Sequence, residues 1–228
     1  MQSVYLANSS AKDKDFSILT KYLLKYPEVR PKNYFLEFFY SNGKESIFKK
    51  DQNFVSNLGV FIYKNHYNKT ALKLFMEDLV SGKDLKELLL SKTTRGQFCL
   101  IIYYQNELKL ITDRLGYFPI YYYEKGEAVS FSNSMLLLAR NNKSTINYLG
   151  ISQYLSENYK HVTYACCDQN ITNEIKYTEP GTIYTFENNL FKVDKYFDIK
   201  NNLEIGKHKS FSEILDLAEE ILTNNLSF

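Results

Sequence analysis

The sequence predicts an α+β fold in which antiparallel strands outnumber helices, and three observations lead to this prediction. Aromatic residues make up 16% of the 228 residues, as 20 Tyr and 16 Phe without Trp, and both types favour strands. From residue 96 onward, turn signals recur about every 8–12 residues, which is typical of an antiparallel meander. Other segments carry apolar residues at helical spacing. The chain is long enough to bury a substantial core.

The first ninety residues carry alternating helix and strand signals. A helix is predicted over 15–26, because its apolar residues share one face and Pro27 ends it. Aromatic and β-branched runs predict strands over 34–40 and 58–63, with turn residues at 41–44 after the first. Helices are predicted over 70–80 and 85–90, separated by Ser81-Gly82.

The second half is predicted to be a meander followed by helices. A polar connector at 141–144 divides it and predicts two domains, residues 1–142 and 143–228. Either Ser210 or Ser212 could cap the last helix. The predicted elements, in order, are strands at 96–104, 108–112, 120–123 and 128–131 with turns at 106–107, 113–116 and 125–126, a helix at 134–139, a helix at 148–155, a hairpin turning at 187–189, and an amphipathic helix at 211–222.

Charge and hydropathy exclude several functional classes. The 28 basic and 26 acidic residues give a net charge of +2, too balanced for a nucleic-acid-binding surface. No apolar run approaches the roughly 20 residues of a membrane span. The first residues, Met1-Gln2-Ser3-Val4, lack the basic and apolar regions of a signal peptide. We therefore expect a cytoplasmic protein that binds neither nucleic acid nor membranes.

The cysteine and histidine residues predict neither a metal site nor a reactive thiol. Cys99 lies in an apolar strand-like run, as expected of a core residue. The neighbouring Cys166 and Cys167 cannot easily form a standard disulfide, and we assign them with His161 to a loop rather than to a catalytic pair. His66 and His208 lie too far away in sequence to complete a metal-binding spacing.

Short motifs follow one another in a fixed order between residues 95 and 200. Arg-Gly-Gln-Phe at 95–98 opens a strand, Asp-Arg-Leu-Gly-Tyr-Phe-Pro-Ile-Tyr-Tyr follows at 113–122, and Phe-Ser-Asn-Ser stands at 131–134 before a helix. Thr172 to Gly181 and Tyr196-Phe197 complete the order. This order resembles the asparagine synthetase family, with its R-G-x-F, D-x-x-G-x-x-P-L-Y-Y and F-A-S-E motifs. The residues that match the pattern are Arg95, Gly96, Phe98, Asp113, Gly116, Pro119, Tyr121, Ser132, Pro180 and Gly181.

The resemblance implies a two-domain organisation. The family's first domain is an Ntn-type αββα sandwich of antiparallel sheets with flanking helices, and it hydrolyses glutamine. Its second domain uses ATP and magnesium to activate a carboxylate, which then accepts ammonia. Residues 143–228 would be the linker and the start of that domain. The pyrophosphate-binding segment S-G-G-x-D-S is absent from the 228 residues, so ATP and magnesium are expected only of a synthetase domain outside them.

The resemblance also implies where a nucleophile would stand. A glutaminase of this type uses an amino-terminal Cys whose own free α-amine is the base. Position 2 is Gln2, and a large residue there should leave Met1 in place. Ser3 is the nearest hydroxyl, but its nitrogen is in a peptide bond and cannot serve as the base. We therefore predict no catalytic residue.

The residues that would hold glutamine are also largely missing. The family's Asn-Gly oxyanion support has one match, Asn42-Gly43, which also reads as a hairpin turn. Arg30 is the candidate for holding the substrate carboxylate. The carboxylate that would hold the α-ammonium is expected just before Thr70, where Asn68 and Lys69 stand instead.

Two functional hypotheses follow. The first is a degenerate, inactive glutaminase domain of an ATP-dependent amide-forming enzyme, similar in this respect to β-lactam synthetases and lasso-peptide cyclases. Its partners would be its own carboxy-terminal synthetase domain and a second copy in a homodimer. The second is a stand-alone, non-enzymatic binding module on the same sandwich, with partners chosen by exposed aromatic side chains.

Overall fold

A computed structural model describes residues 2–7, 24–26, 35–40, 46–125, 128–155, 170–187, 190–198, 210 and 212–213. The helices in the described part are α1 (Asn68–Val80), α2 (Leu85–Leu90), α3 (Met135–Asn142) and α4 (Tyr148–Leu155). The strands there are β1 (Gln2–Ala7), β2 (Leu24–Tyr26), β3 (Phe35–Tyr40), β4 (Ile47–Lys50), β5 (Asn53–Tyr63), β6 (His66–Tyr67), β7 (Thr94–Tyr104), β8 (Glu107–Thr112), β9 (Tyr121–Lys125), β10 (Ala128–Ser132), β11 (Ile175–Tyr177), β12 (Thr182–Glu187) and β13 (Leu190–Lys195).

The strands form two sheets, and every described pairing is antiparallel. In sheet A the order is β11-β9-β10-β1-β3-β2, so the first strand lies in the interior of the sheet. In sheet B the order is β13-β12-β8-β7-β5-β4, with β6 pairing to the end of β5. The long strands β5 and β7 pair from Phe54↔Tyr103 to Tyr63↔Thr94 and form the centre of sheet B.

Alternation along the strands produces a four-layer αββα sandwich. In β1, Val4 and Leu6 enter a core shared with sheet B, whereas Tyr5 and Ala7 face the layer that contains α3. On the opposite side of the molecule, Phe61 of β5 packs edge-on against Phe75 of α1, with ring centroids 5.4 Å apart. The predicted α+β class and the αββα sandwich of antiparallel sheets are confirmed.

The meander predicted from residue 96 onward is confirmed, with one turn shifted by a residue. The β7–β8 hairpin turns at Gln105 and Asn106, whose φ angles are 52° and 65°, and Glu107 already belongs to β8. Two positive φ values are the mark of a two-residue turn that matches the strand twist. The predicted turn at 125–126 and the hairpin turn at 187–189 lie partly outside the described residues, but Glu187 pairs with Leu190 across the latter.

The predicted helix over 15–26 is wrong where it can be compared. Its last three residues form β2, which pairs with β3 through Leu24↔Tyr40 and Tyr26↔Phe38. The backbone hydrogen bonds offered by β3 override the helical pattern of a short segment. The rest of that predicted helix and the turn at 41–44 lie outside the described residues.

The boundary expected after Asn142 does not separate two compact units. β11 pairs with β9 and β12 pairs with β8, so residues far beyond 142 complete both sheets. The first compact unit runs from Met1 to Tyr196 and the second from Phe197 to Phe228.

In the second unit, Ser210 and Glu213 exchange hydrogen bonds as a capping box, so Ser210 rather than Ser212 caps the helix that starts there. None of the helices in the described residues is long and apolar enough to cross a bilayer.

Asp78 of α1 is the centre of a polar cluster at the end of β5. Its carboxylate accepts a hydrogen bond from the Tyr63 hydroxyl at 2.5 Å and lies 2.6 Å from Lys64 Nζ and 2.7 Å from Lys83 Nζ. Burial alone would raise the pKa of Asp78, but these donors outweigh it and hold that pKa well below its usual range. The hydrogen bond from Tyr63 and the ion pair with Lys64 therefore connect α1 to the end of β5 in sheet B.

We expect Asp78→Asn to lower the free energy of unfolding by about 1–2 kcal/mol at pH 7. A depressed pKa stabilises the fold above the unfolded pKa of about 3.9 and ceases to do so as the pH falls through the folded pKa. The difference from wild type should therefore shrink below about pH 4. Urea unfolding at a series of pH values checks this. Glu77→Gln, on the exposed face of the same helix, should change stability by less than about 0.5 kcal/mol. A difference that stays constant with pH would contradict the assignment.

Candidate active site

The start of β1 is the place where the resemblance puts a glutaminase nucleophile. β1 begins at Gln2, and its first residues pair with the end of β3 through Gln2↔Tyr40 and Ser3↔Phe39. Cys does not occur anywhere in this strand, which reads Gln-Ser-Val-Tyr-Leu-Ala. The position is thus held within sheet A but carries no thiol.

The Phe-Ser-Asn-Ser motif holds this end of β1 by side-chain hydrogen bonds. The buried Ser132 hydroxyl donates to the Val4 carbonyl oxygen at 2.6 Å, and the Val4 N–H donates to Asn133 Oδ1 at 3.0 Å. Ser134 then caps α3 by accepting from the Leu137 N–H at 3.3 Å. The motif therefore fixes the strand next to the nucleophile position and starts the helix behind it.

Asp113 organises the turn that follows β8. Its buried carboxylate accepts three backbone N–H groups, from Leu115 at 3.0 Å, Tyr117 at 3.1 Å and Phe118 at 2.9 Å. All of its partners are main-chain groups of the same turn. Gly116 has a φ of +67°, the left-handed region that glycine tolerates. Asp113 thus shapes the backbone, and it is placed as a structural residue.

The turn at Pro180-Gly181 contacts the Asp113–Gly116 turn. Gly181 N–H donates to the Asp113 carbonyl oxygen at 2.9 Å, and a Cβ on Gly116 would lie 3.0 Å from the ring of Pro180. Tyr196 closes the arrangement, since its hydroxyl donates to the Thr112 carbonyl oxygen at 2.7 Å and its N–H donates to the Gly181 carbonyl oxygen at 2.8 Å. Hydrogen bonds therefore join Asp113, Gly181 and Tyr196 at the place where β8 ends and β12 begins.

The Arg-Gly-x-Phe motif lies where the backbones of β7 and β5 approach each other closely. Gly96 has a φ of +117°, and a Cβ there would lie 2.1 Å from the Val60 carbonyl oxygen. Phe98 is buried against Phe61, with ring centroids 5.0 Å apart. Arg95 donates to Asn65 Oδ1 at 3.1 Å, on the hairpin before α1. These contacts are structural too.

Other predicted motif residues differ in burial. Tyr121 is partly buried and packs against Tyr177 with ring centroids 4.8 Å apart, whereas Pro119 is exposed. The predicted substrate contacts Arg30, Asn42 and Gly43 lie outside the described residues.

α1 begins at Asn68, two residues before the start predicted at Thr70. Its first turn contains no acidic residue, and its cap residue, Tyr67, makes no side-chain capping hydrogen bond. Asn68 and Lys69, the residues before Thr70 in the sequence, are thus the first two residues of the helix.

Sequence reasoning missed an irregularity in the middle of β5. Asn57 is buried, its Nδ2 donates to the Gly59 carbonyl oxygen at 3.0 Å, and its Oδ1 has no hydrogen-bond partner within the described residues. Gly59 has a φ of +81°, and a Cβ there would lie 2.3 Å from the Gln97 carbonyl oxygen. The one available signal was an isolated glycine inside a strand pattern, which indicates a bulge or a close backbone approach.

Burial raises the pKa of two titratable groups near the Asp113 turn. Burial raises the pKa of the Cys99 thiol, and the charge of Asp113 raises it further, so the thiolate is not formed near neutral pH. Burial likewise raises the pKa of the Tyr196 hydroxyl. Across the described ranges, His, Cys, Asp and Glu side chains do not come together in groups of three or more that could hold a metal ion.

Two solved structures are similar to this chain at low sequence identity. One is glutamine phosphoribosylpyrophosphate amidotransferase from B. subtilis in complex with ADP and GMP. It is 10% identical, with a TM-score of 0.42, over 85% of this chain and 49% of that chain. The other, described as the allosteric regulatory enzyme of purine biosynthesis, is 11% identical with a TM-score of 0.42, over 86% and 43%. The chain thus spans less than half of either relative's length. Sequence search finds no match among curated proteins.

A family comparison identifies the central part of the chain. A family described as "Glutamine amidotransferase domain" matches residues 82–197. This range contains the Arg-Gly-x-Phe strand, the Asp113 turn, the Phe-Ser-Asn-Ser motif and Tyr196, which are the contacts described above. The chain belongs to the glutamine amidotransferase domain family.

Proposed function

We propose that this chain is a glutamine amidotransferase domain that has lost glutamine hydrolysis and acts as a scaffold within an asparagine-synthetase-like, amide-forming enzyme. The observation that carries the proposal is the composition of β1. The strand is held at Val4 by Ser132 and Asn133, as a nucleophile-bearing strand would need, yet it contains no Cys. A nucleophile with its own α-amine as base is then absent from the position that requires it.

Two further features support the proposal. The start of α1 offers Asn68 and Lys69 instead of a carboxylate, so the α-ammonium of glutamine would meet a cation there. By contrast, contacts that shape the sandwich are present, including the three backbone N–H groups bound by Asp113. We infer that the fold is retained because it positions a partner domain.

The expected partner is a synthetase domain that activates a carboxylate with ATP and magnesium and joins it to an amine. An apolar surface around α4 supports this part of the proposal. Tyr148 is 78% exposed and Leu155 is 68% exposed, and Ile146, Leu149 and Ile171 are exposed beside them. Apolar side chains exposed side by side are typical of an interaction surface. An in-frame S-G-G-x-D-S segment downstream in the native gene would support this partner, whereas a stop codon soon after residue 228 would favour a stand-alone binding module.

We expect Gln2→Cys to leave the chain without glutaminase activity, because the α-ammonium site near Lys69 is lost as well. The measurement is glutamate release from glutamine, on protein whose Met1 is shown by mass spectrometry to have been removed. Gln2→Ala is the matched control, since it also places a small residue after Met1 but supplies no thiol. Glutamate release by Gln2→Cys well above that of Gln2→Ala would contradict the proposal that the site is lost beyond position 2.

A further inference from the structure

Strand β13 forms one edge of sheet B. It pairs with β12 from Thr182↔Lys195 to Glu187↔Leu190, and its other side meets no strand in the part of the chain that the structure describes. An edge strand presents a row of N–H and C=O groups to which another strand can be added. The residues of β13 determine which strand fits there.

The ladder with β12 determines which main-chain groups of β13 point outward. The Tyr196 N–H donates to the Gly181 carbonyl oxygen at 2.8 Å, so Tyr196 is hydrogen-bonded toward the β12 side. In an antiparallel ladder, every second residue is hydrogen-bonded to the same neighbouring strand. The N–H and C=O groups of Asp194 therefore point toward β12, whereas those of Val193 point away from it, to the open edge.

The side chains at this edge are accessible and carry both signs of charge. Val193 is 50% exposed, and Lys192 is exposed beside it. Asp194 lies on the same face of the strand as Lys192, and its carboxylate is 2.8 Å from Lys86 Nζ of α2. Along β13 the edge thus presents a cation, an apolar side chain and an anion in that order.

The order Lys-Val-Asp is complementary to itself in an antiparallel arrangement. When a second copy of β13 runs antiparallel with Val193 opposite Val193, each Lys192 stands opposite Asp194 of the other copy. Val193 then exchanges both main-chain hydrogen bonds with its counterpart, and Lys192 and Asp194 form the closer, non-hydrogen-bonded type of pair. Opposite charges directly across from each other stabilise an antiparallel pair.

Charge also disfavours the neighbouring registers. Centring the two copies on Lys192, Asp194 or Lys195 would place that charged residue opposite itself, which is destabilising. Lysines on an edge strand normally oppose its pairing with another strand. The register centred on Val193 removes this obstacle at Lys192, because the residue across from it is an anion.

We propose that β13 is an interface with a second copy of this chain, in a two-fold symmetric dimer whose antiparallel pairing is centred on Val193. Sheet B of one copy then continues into sheet B of the other. An interface built on one short strand is small, so the dimer dissociates on dilution. The proposal goes beyond the loss of glutamine hydrolysis and does not depend on it.

Sedimentation velocity of the full chain over a range of concentrations should show a monomer–dimer equilibrium. Val193→Pro should weaken dimerisation at least about tenfold, because the outward-pointing N–H is lost from both copies. The pairing with β12 does not use this N–H and should survive. Val193→Thr keeps the N–H and the branched side chain, so this matched control should dimerise like the wild type. A wild type that stays monomeric at about 1 mM, or a dimer unaffected by Val193→Pro, would overturn the proposal.

Two charge variants test the register and decide the question even where Val193→Pro does not fold. Lys192→Asp places anion opposite anion, and Asp194→Lys places cation opposite cation. Each variant alone should dimerise at least about tenfold more weakly than the wild type, because two attractions become two repulsions. An equimolar mixture should form a heterodimer with an affinity close to that of the wild type, since every pair is again oppositely charged. A mixture that does not associate, or single variants that dimerise like the wild type, would overturn the proposed pairing.

Discussion

Replacing Gly96 with Ala is expected to destabilise the fold more than the other single changes considered. The added Cβ would lie 2.1 Å from the Val60 carbonyl oxygen, a main-chain atom in the centre of sheet B that cannot move without breaking the β5–β7 ladder. The φ of +117° adds conformational strain for any residue with a side chain. Together these effects should lower the free energy of unfolding by about 4 kcal/mol or more.

Gly82→Ala separates the two contributions. Gly82 also has a positive φ, +94°, but a Cβ there meets no atom within 4 Å. Its cost should be that of the backbone conformation alone, about 1 kcal/mol. Chemical denaturation of both variants makes the comparison. If Gly96→Ala were no more destabilising than Gly82→Ala, the close approach of β7 to Val60 would not exist as described.

Replacing Asp113 with Asn should have the second largest effect. The carboxylate accepts N–H groups at both oxygens, two at Oδ1 and one at Oδ2. An amide keeps the shape but turns one of these acceptors into a donor, which then faces a backbone N–H in a buried site. We expect a loss of about 2–4 kcal/mol in the free energy of unfolding. Amide exchange should also increase at Leu115 or Phe118.

Asp51→Asn is the matched control for this change. Asp51 is exposed in the β4–β5 turn with a φ of 57°, a conformation that Asn adopts equally well. Its stability should stay within about 0.5 kcal/mol of wild type. A similarly small effect at Asp113 would show that its carboxylate does not hold the turn.

Features set by local chemistry were predictable from the sequence, and features set by distant contacts were not. The Asp113–Gly116 turn and the helices α1 and α2 follow from residues within a few positions of one another. By contrast, residues 24–26 are helical by pattern and become a strand because β3 lies beside them. Likewise, β11 and β12 lie beyond the predicted boundary at Asn142 and pair with strands that precede it.

Some features of the candidate site can likewise be read from the sequence, whereas others are visible only in the structure. The absence of Cys from β1 is visible in the sequence, and so is the absence of a carboxylate before Thr70. The hydrogen bonds of Ser132 and Asn133 to Val4 join residues more than 120 positions apart, so only the fold shows what the Phe-Ser-Asn-Ser motif does.

Glutamate release by the unmodified chain is the most direct test of the proposed function. Purified protein is incubated with glutamine, glutamate is measured enzymatically, and an active glutamine amidotransferase domain with an amino-terminal Cys serves as the positive control. A chain without a nucleophile in β1 should release glutamate no faster than a buffer blank. Release at the rate of the positive control would contradict the central claim, and would mean that a group outside β1 carries out the hydrolysis.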